Sequence, residues 1–110
     1  MSYHITGKNI ILTRGDTLRV HVDIVDSAGD AYVSDKGDKL RFALKRGYRE
    51  EKPLLVVDIP MDTMMLVLRP EDTKPLNFGS YVYDIQLTQA NGDIDTVIPE
   101  GTLILTKEVD

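Results

Sequence analysis

His4 and His21 are the only imidazoles in the chain, and it contains no cysteine. A nitrogen- or sulfur-ligated metal centre would need further donors converging on one of those rings. His21 stands between Val20 and Val22, with Asp23 two residues on. It reads as a solvated histidine in a weak surface pair with Asp23, and no metal is expected. Without thiols the sequence excludes a disulfide framework, a thiolate zinc site, an iron–sulfur cluster and a cysteine nucleophile. Ser2, Ser27, Ser34 and Ser80 all lie outside any Gly-x-Ser-x-Gly elbow. Asp26, Asp30, Asp35 and Asp38 crowd one stretch, but a calcium loop wants acids at alternate positions followed by glycine. Solvated turns are the expectation there, with an irregular calcium site between two loops as the alternative. Arg14-Gly15-Asp16 matches an integrin-binding tripeptide, yet a turn needs the same residues: Gly for its φ angle, Asp for side-chain-to-backbone bonding. Lys45-Arg46-Gly47-Tyr48-Arg49 is the one basic cluster with an aromatic inside it, a pattern that nucleic-acid binders use. Glu50 and Glu51 follow at once, so a hairpin tip or subunit contact is the reading taken. No acid, base and nucleophile assemble into a catalytic set, and the chain is expected to be no enzyme and to carry no cofactor.

The elements that would position these residues alternate with a period of two. Leu18, Val20, Val22 and Ile24 alternate with Arg19, His21 and Asp23; Leu40, Phe42 and Leu44 alternate with Arg41, Ala43 and Lys45. Tyr81, Tyr83, Ile85 and Leu87 alternate with Val82, Asp84 and Gln86. A strand sends successive side chains to opposite faces, so each pattern makes one greasy and one wet face. Shorter strands are expected over 9–13, 54–59, 64–69, 94–98 and 102–107. Turn signals separate them: Arg14-Gly15-Asp16, Ser27-Ala28-Gly29-Asp30, Lys36-Gly37-Asp38, Ala90-Asn91-Gly92-Asp93 and Pro99-Glu100-Gly101. Asn91-Gly92 is the strongest, since that pair tolerates the positive φ of a tight hairpin. One helical turn fits 70–75, with Pro70 at its start and Glu71 and Asp72 near its positive end. The expected fold is all-β, an immunoglobulin-like antiparallel sandwich of seven to eight strands with one short helical turn, in a single domain over 1–110.

Composition agrees. Apolar residues make up 42% of the 110, enough for one core and too much for disorder. The net charge of −5 disfavours a partner read through its phosphate backbone. No apolar run approaches the ~20 residues of a membrane span. Met1-Ser2-Tyr3-His4 has no basic stretch leading into an apolar one, so no secretory leader is expected. Neither nucleic acid nor membrane is expected as a partner.

Two segments carry the structural proposals. From Pro70 a helical turn runs through Asn77 and Gly79 into Tyr81-Val82-Tyr83. In immunoglobulin-like sandwiches a Tyr near the start of strand F stands two residues before the second Cys, and its hydroxyl bonds back to the corner backbone. Gly79, Tyr81 and Tyr83 are the candidate corner, with Tyr83 filling the place of the Cys; the alternative makes both tyrosines ordinary strand aromatics. The second segment, 54–68, holds Leu54-Leu55-Val56-Val57 and Met64-Met65-Leu66-Val67-Leu68, which lack clean alternation. Such runs are buried on both faces or meet a partner. Leu55, Val57, Met64, Met65 and Val67 are the candidate subunit interface, with plain sandwich core as the other reading.

Along its length the chain resembles small immunoglobulin-like structural domains of tailed bacteriophages and prophages, such as the amino-terminal domain of baseplate upper proteins. The residues carrying the resemblance are Arg14-Gly15-Asp16-Thr17 leading into the second strand, Leu40-Arg41-Phe42 in mid-chain, and Gly79-Ser80-Tyr81-Val82-Tyr83-Asp84-Ile85-Gln86-Leu87. Asn91-Gly92-Asp93 with Thr96-Val97-Ile98-Pro99-Glu100-Gly101 completes them. The resemblance implies a non-enzymatic building block of a tail or baseplate, located in the virion and assembled in the bacterial host cytoplasm. Its partners would be other tail or baseplate proteins and further copies of itself in a homo-oligomer. A carbohydrate- or cell-surface-binding sandwich is the alternative; its candidate stacking aromatics are Tyr3, Tyr32 and Tyr48.

Overall fold

The computed structural model describes residues 3–6, 9–24, 32, 36–47 and 49–107, and the side chains of all of these except 3–6 and 97–100. Eight strands and one helical turn follow in the order β1 (Tyr3–Thr6), β2 (Asn9–Thr13), β3 (Leu18–His21), β4 (Lys39–Lys45), β5 (Leu55–Ile59), β6 (Met65–Leu68), α1 (Pro70–Thr73), β7 (Gly79–Thr88) and β8 (Ile94–Thr106). A six-stranded sheet runs β1-β2-β8-β7-β4-β5, and β3 pairs with β6 in a second sheet. The two layers close on a common core: Leu18, Leu66 and Leu68 come from the small sheet, and Leu12, Phe42 and Leu103 from the large one.

Alternation explains the placement. On β4 the buried Leu40, Phe42 and Leu44 face the core, while Lys39 and Arg41 are exposed. On β7, Tyr81, Tyr83, Ile85 and Leu87 are buried and their neighbours are half-exposed. The pattern over 18–24 holds in burial, with Leu18, Val22 and Ile24 inside, although the regular strand ends at His21. One further rung forms beyond it, from Val22 N–H to the Met64 carbonyl at 2.8 Å.

Strand order follows the immunoglobulin plan: β8, β7, β4 and β5 take the G-F-C-C′ places, and β3 and β6 the B and E places. The class is therefore an all-β, immunoglobulin-like sandwich. Three expectations need correction. The large sheet is mixed, because β2 runs parallel to β8, with Ile10 facing Leu103 and Leu12 facing Leu105. Parallel neighbours need a long crossover; here the crossover is nearly the whole domain, as the chain leaves β2 for the small sheet and returns only at its end. Secondly, 94–98 and 102–107 are one strand. Tyr83 faces Gly101 and Ile85 faces Ile98, so Pro99 and Glu100 together oppose Asp84 in a bulge. A proline without N–H fits there because the ladder is interrupted. Thirdly, neither 54–59 nor 64–69 is buried on both faces. β5 and β6 alternate as edge strands: β5 turns Val56 and Asp58 outward, and β6 leaves Met65 and Val67 half-exposed.

The connections use the expected residues. Gln89 N–H bonds the Asp93 carbonyl at 2.8 Å and Gly92 N–H bonds the Gln89 carbonyl at 2.8 Å, enclosing a three-residue loop. Only Gly92 takes positive φ, at 95°, while the Asn91 Oδ1 accepts the Asp93 N–H at 2.9 Å. The pair thus makes a three-residue hairpin loop rather than a two-residue one. Pro70 opens α1, and the Asp72 carboxylate, from the third position of the turn, reaches back to accept the Arg69 N–H at 2.8 Å.

Candidate functional site

The tyrosine corner is built on α1. Thr73, fully buried, accepts the Gly15 N–H on its Oγ1 at 3.0 Å, tying the turn to the 14–16 loop. Arg14 donates to the Leu76 carbonyl at 3.3 Å and lays its guanidinium 4.5 Å from the Phe78 ring centroid. Tyr81 then enters the core, and its hydroxyl donates back to the Asn77 carbonyl at 2.6 Å. This backward bond across four residues is the geometry of a tyrosine corner. Arg46 caps the other side of the Tyr81 ring at 4.8 Å, over Gly79, whose φ is 134°. Tyr83, two residues on, is buried with its ring centroid 5.3 Å from that of Phe42, and burial pushes its phenol above the ordinary value. Tyr81→Phe removes only the hydroxyl and is expected to lower the unfolding free energy by about 1 kcal/mol. A urea titration checks this, with the slope unchanged; no measurable loss would show that the Asn77 carbonyl finds water instead.

The second feature lies where the two sheets end. Among the described residues β5 is the last strand of the large sheet and β6 pairs only with β3, so both present a free edge there. Pro60, Asp62 and Thr63 make the tight turn between them, with Met64 N–H bonded to the Pro60 carbonyl at 2.7 Å. Met64 sits at φ 51°, the left-handed region that a side chain adopts at a cost. The two edges flank a groove of ≈ 450 Å³ lined by Val57, Pro60, Thr63, Met65 and Val67, with Asp58 and Arg69 also on its walls. Of the five interface candidates, Val57, Met65 and Val67 meet in this groove. Leu55, Val57 and Met64 pack against the core cluster, so Val57 serves both.

Other sequence candidates are dispersed. His21 Nδ1 and Asp23 Oδ1 lie 2.9 Å apart on the exposed side of the small sheet. Among the described residues no three His, Cys, Asp or Glu gather as metal ligands, and no helix is long and apolar enough to cross a membrane. Asp38 is buried: its Oδ2 accepts the Tyr32 hydroxyl at 2.6 Å and its Oδ1 the Ala90 N–H at 2.9 Å. It pins the segment before β4 to the β7–β8 loop, and its acidic companions Asp26, Asp30 and Asp35 lie outside the described residues. Of the three stacking aromatics, Tyr32 is half-buried, while Tyr48 and the Tyr3 side chain lie outside what is described. Of the 45–49 cluster, Arg46 stacks on Tyr81, and Tyr48 lies outside the described residues.

A further concavity escaped the sequence reading. Lys39, Arg41, Asp58, Gln86, Thr88 and Ile94 line ≈ 320 Å³ on the outer face of the large sheet. They come from four strands joined only by register, so no local motif announces them. The one signal available was the repeat of cations at Lys39 and Arg41 on the wet side of β4.

No protein-family model matches the chain, and the search of curated proteins finds no match.

Proposed function

We propose that this chain is a non-enzymatic structural module of a bacteriophage or prophage tail or baseplate, which works by holding neighbouring subunits together. The observation that carries the reading is the meeting of two strand edges, β5 and β6, unpaired among the described residues, in one groove that holds Val57, Met65 and Val67. Free edges offer unpaired N–H and C=O groups to another chain, and natural proteins cover or charge those they do not use. Here Val57, Met65 and Val67 stand on the groove's walls beside Asp58 and Arg69, so charge guards its apolar side chains only in part. A neighbouring subunit adding a strand or laying an apolar side into it would satisfy both kinds of surface. Partners on this reading are other tail or baseplate proteins and further copies of the chain in a closed homo-oligomer within the virion. The resemblance of the 14–17, 40–42, 79–87 and 91–101 segments to phage structural domains is its other support.

The test is the mass in solution. Met65→Glu and Val57→Glu, each checked by circular dichroism for retained β structure, are expected to convert the oligomer to monomer in light scattering. Met65 faces away from the core, so its substitution leaves folding intact even if the Val57 variant is weakened. A folded Met65→Glu protein with unchanged mass would overturn the assignment of this groove.

A further inference from the structure

The outer-face concavity of Lys39, Arg41, Asp58, Gln86, Thr88 and Ile94 has the chemistry of a binding pocket, and its construction is rigid. Register places Gln86, Arg41 and Asp58 on one rung across β7, β4 and β5. Thr88 and Lys39 make the next rung, with Ile94 of β8 beyond Thr88. The two cations are two residues apart on one strand, hence about 7 Å apart at the backbone. Among the described residues neither forms an ion pair within 4.0 Å, although Asp58 stands beside Arg41 in register. The Gln86 amide, the Thr88 hydroxyl and the Asp58 carboxylate likewise have no hydrogen bond among the described residues. Ile94, 63% exposed, adds an apolar wall.

The geometry points to an acidic pyranose, a sugar ring bearing a carboxylate and neighbouring hydroxyls, as the ligand of this pocket. Arg41 offers a planar fork to the carboxylate, and Lys39 adds a second charge. The hydroxyls donate to Asp58 and exchange hydrogen bonds with Gln86 and Thr88, while Ile94 lies against the ring's C–H surface. Asp58 decides between ligand classes. A bare anion gains from Arg41 and Lys39 but is repelled by Asp58, whereas an acidic sugar turns hydroxyl donors toward it. The volume of ≈ 320 Å³ lies at the small end for ligand sites and suits one sugar unit rather than a length of acidic peptide. The pocket does not depend on the assembly reading; Asp58 alone is shared with the β5–β6 groove.

Amide chemical shifts of the full chain, followed during titration, test this. Glucuronate is expected to produce saturable shifts at Arg41, Gln86, Thr88 and Ile94, with a Kd of about 1 mM, the weak end of specific binding. Glucose, inorganic phosphate and N-acetylglutamate are expected to bind at least ~10-fold more weakly, a difference one good charged contact supplies. Arg41→Gln is expected to abolish the glucuronate shifts. Asp58→Asn is expected to weaken glucuronate several-fold while strengthening phosphate, a reversal that simple charge attraction does not produce. A glucuronate-terminated oligosaccharide that binds more tightly than the free sugar would place the ligand on a polymer chain. Absence of saturable shifts with glucuronate, or equal binding of phosphate or N-acetylglutamate, would overturn the proposal; both readings use the unaltered protein.

Discussion

Phe42→Ala will lower the unfolding free energy by about 3–5 kcal/mol, a large share of the roughly 5–15 kcal/mol that holds a domain together. Phe42 is fully buried in the middle of β4, which is hydrogen-bonded on both sides, to Val57 of β5 and to Ile85 of β7 by register. Its ring lies tilted at 33° to that of Tyr83, with centroids 5.3 Å apart, an arrangement favoured beyond simple burial. Truncation therefore removes transfer free energy and leaves a void. Strands locked on both edges cannot slide in to fill it, which places the cost at the upper part of the range. Urea denaturation is the measurement: the midpoint should fall with no change in slope. At about 4–8 °C per kcal/mol for a chain near this size, the thermal midpoint should fall by some tens of degrees. Val56→Ala, on the outward face of the next strand at 44% exposure, should change stability by no more than about 0.5 kcal/mol. A Phe42 loss as small as that of Val56 would mean that the two layers do not close over β4.

The inward faces were legible because burial imposes a period on the sequence. Leu40-Phe42-Leu44 and Tyr81-Tyr83-Ile85-Leu87 read directly as core, and each is buried. The helical turn was legible for a local reason: a proline at its start and acids in its first turn leave few other conformations. Pairing was not legible in the same way. Asn9 meets Thr102 and Thr13 meets Thr106 in parallel, partners separated by most of the chain, and no local pattern encodes direction. β1 pairs with β2 through Ile5 and Ile10, but four residues are too few to carry a period. Pro99 was read as the end of a strand; a bulge absorbs it, and a bulge appears only once the opposing strand is known. Residues 54–68 drew notice as apolar runs, and the structure separates them by facing: Leu66 and Leu68 go to the core, and Met65 and Val67 to the groove. The outer-face pocket shares the limit of the parallel pair. Its members are neighbours across four strands, and polar residues on a wet face look alike until register selects among them.

Gly101→Ala should cost more than the same change at Gly37, Gly47, Gly79 or Gly92. Gly101 is buried on the inner side of β8 directly opposite Tyr83, and a Cβ added there would fall inside the far end of the tyrosine ring. The ring cannot swing away, because Phe42 packs beside it and only 5% of the residue is exposed. Overpacking of this kind costs roughly 1–3 kcal/mol and occasionally more; with an enclosed aromatic in the way, about 3 kcal/mol is expected. The cause can be isolated by a double-mutant cycle, since a contacting pair couples and a distant one does not. Tyr83→Leu keeps apolar volume in the core but removes the ring atoms nearest the glycine. In that background Gly101→Ala should become neutral or slightly stabilising, because glycine within a strand is disfavoured relative to alanine by about 0.5–1 kcal/mol. Equal losses in both backgrounds would show that backbone conformation, not the ring, requires the glycine. The expected reversal has a structural meaning. Immunoglobulin domains staple their sheets with a disulfide two residues beyond the corner tyrosine. This chain has no cysteine and holds that position with a large ring pressed onto a bare backbone. The glycine and the tyrosine are thus one device, and neither is interchangeable while the other stays.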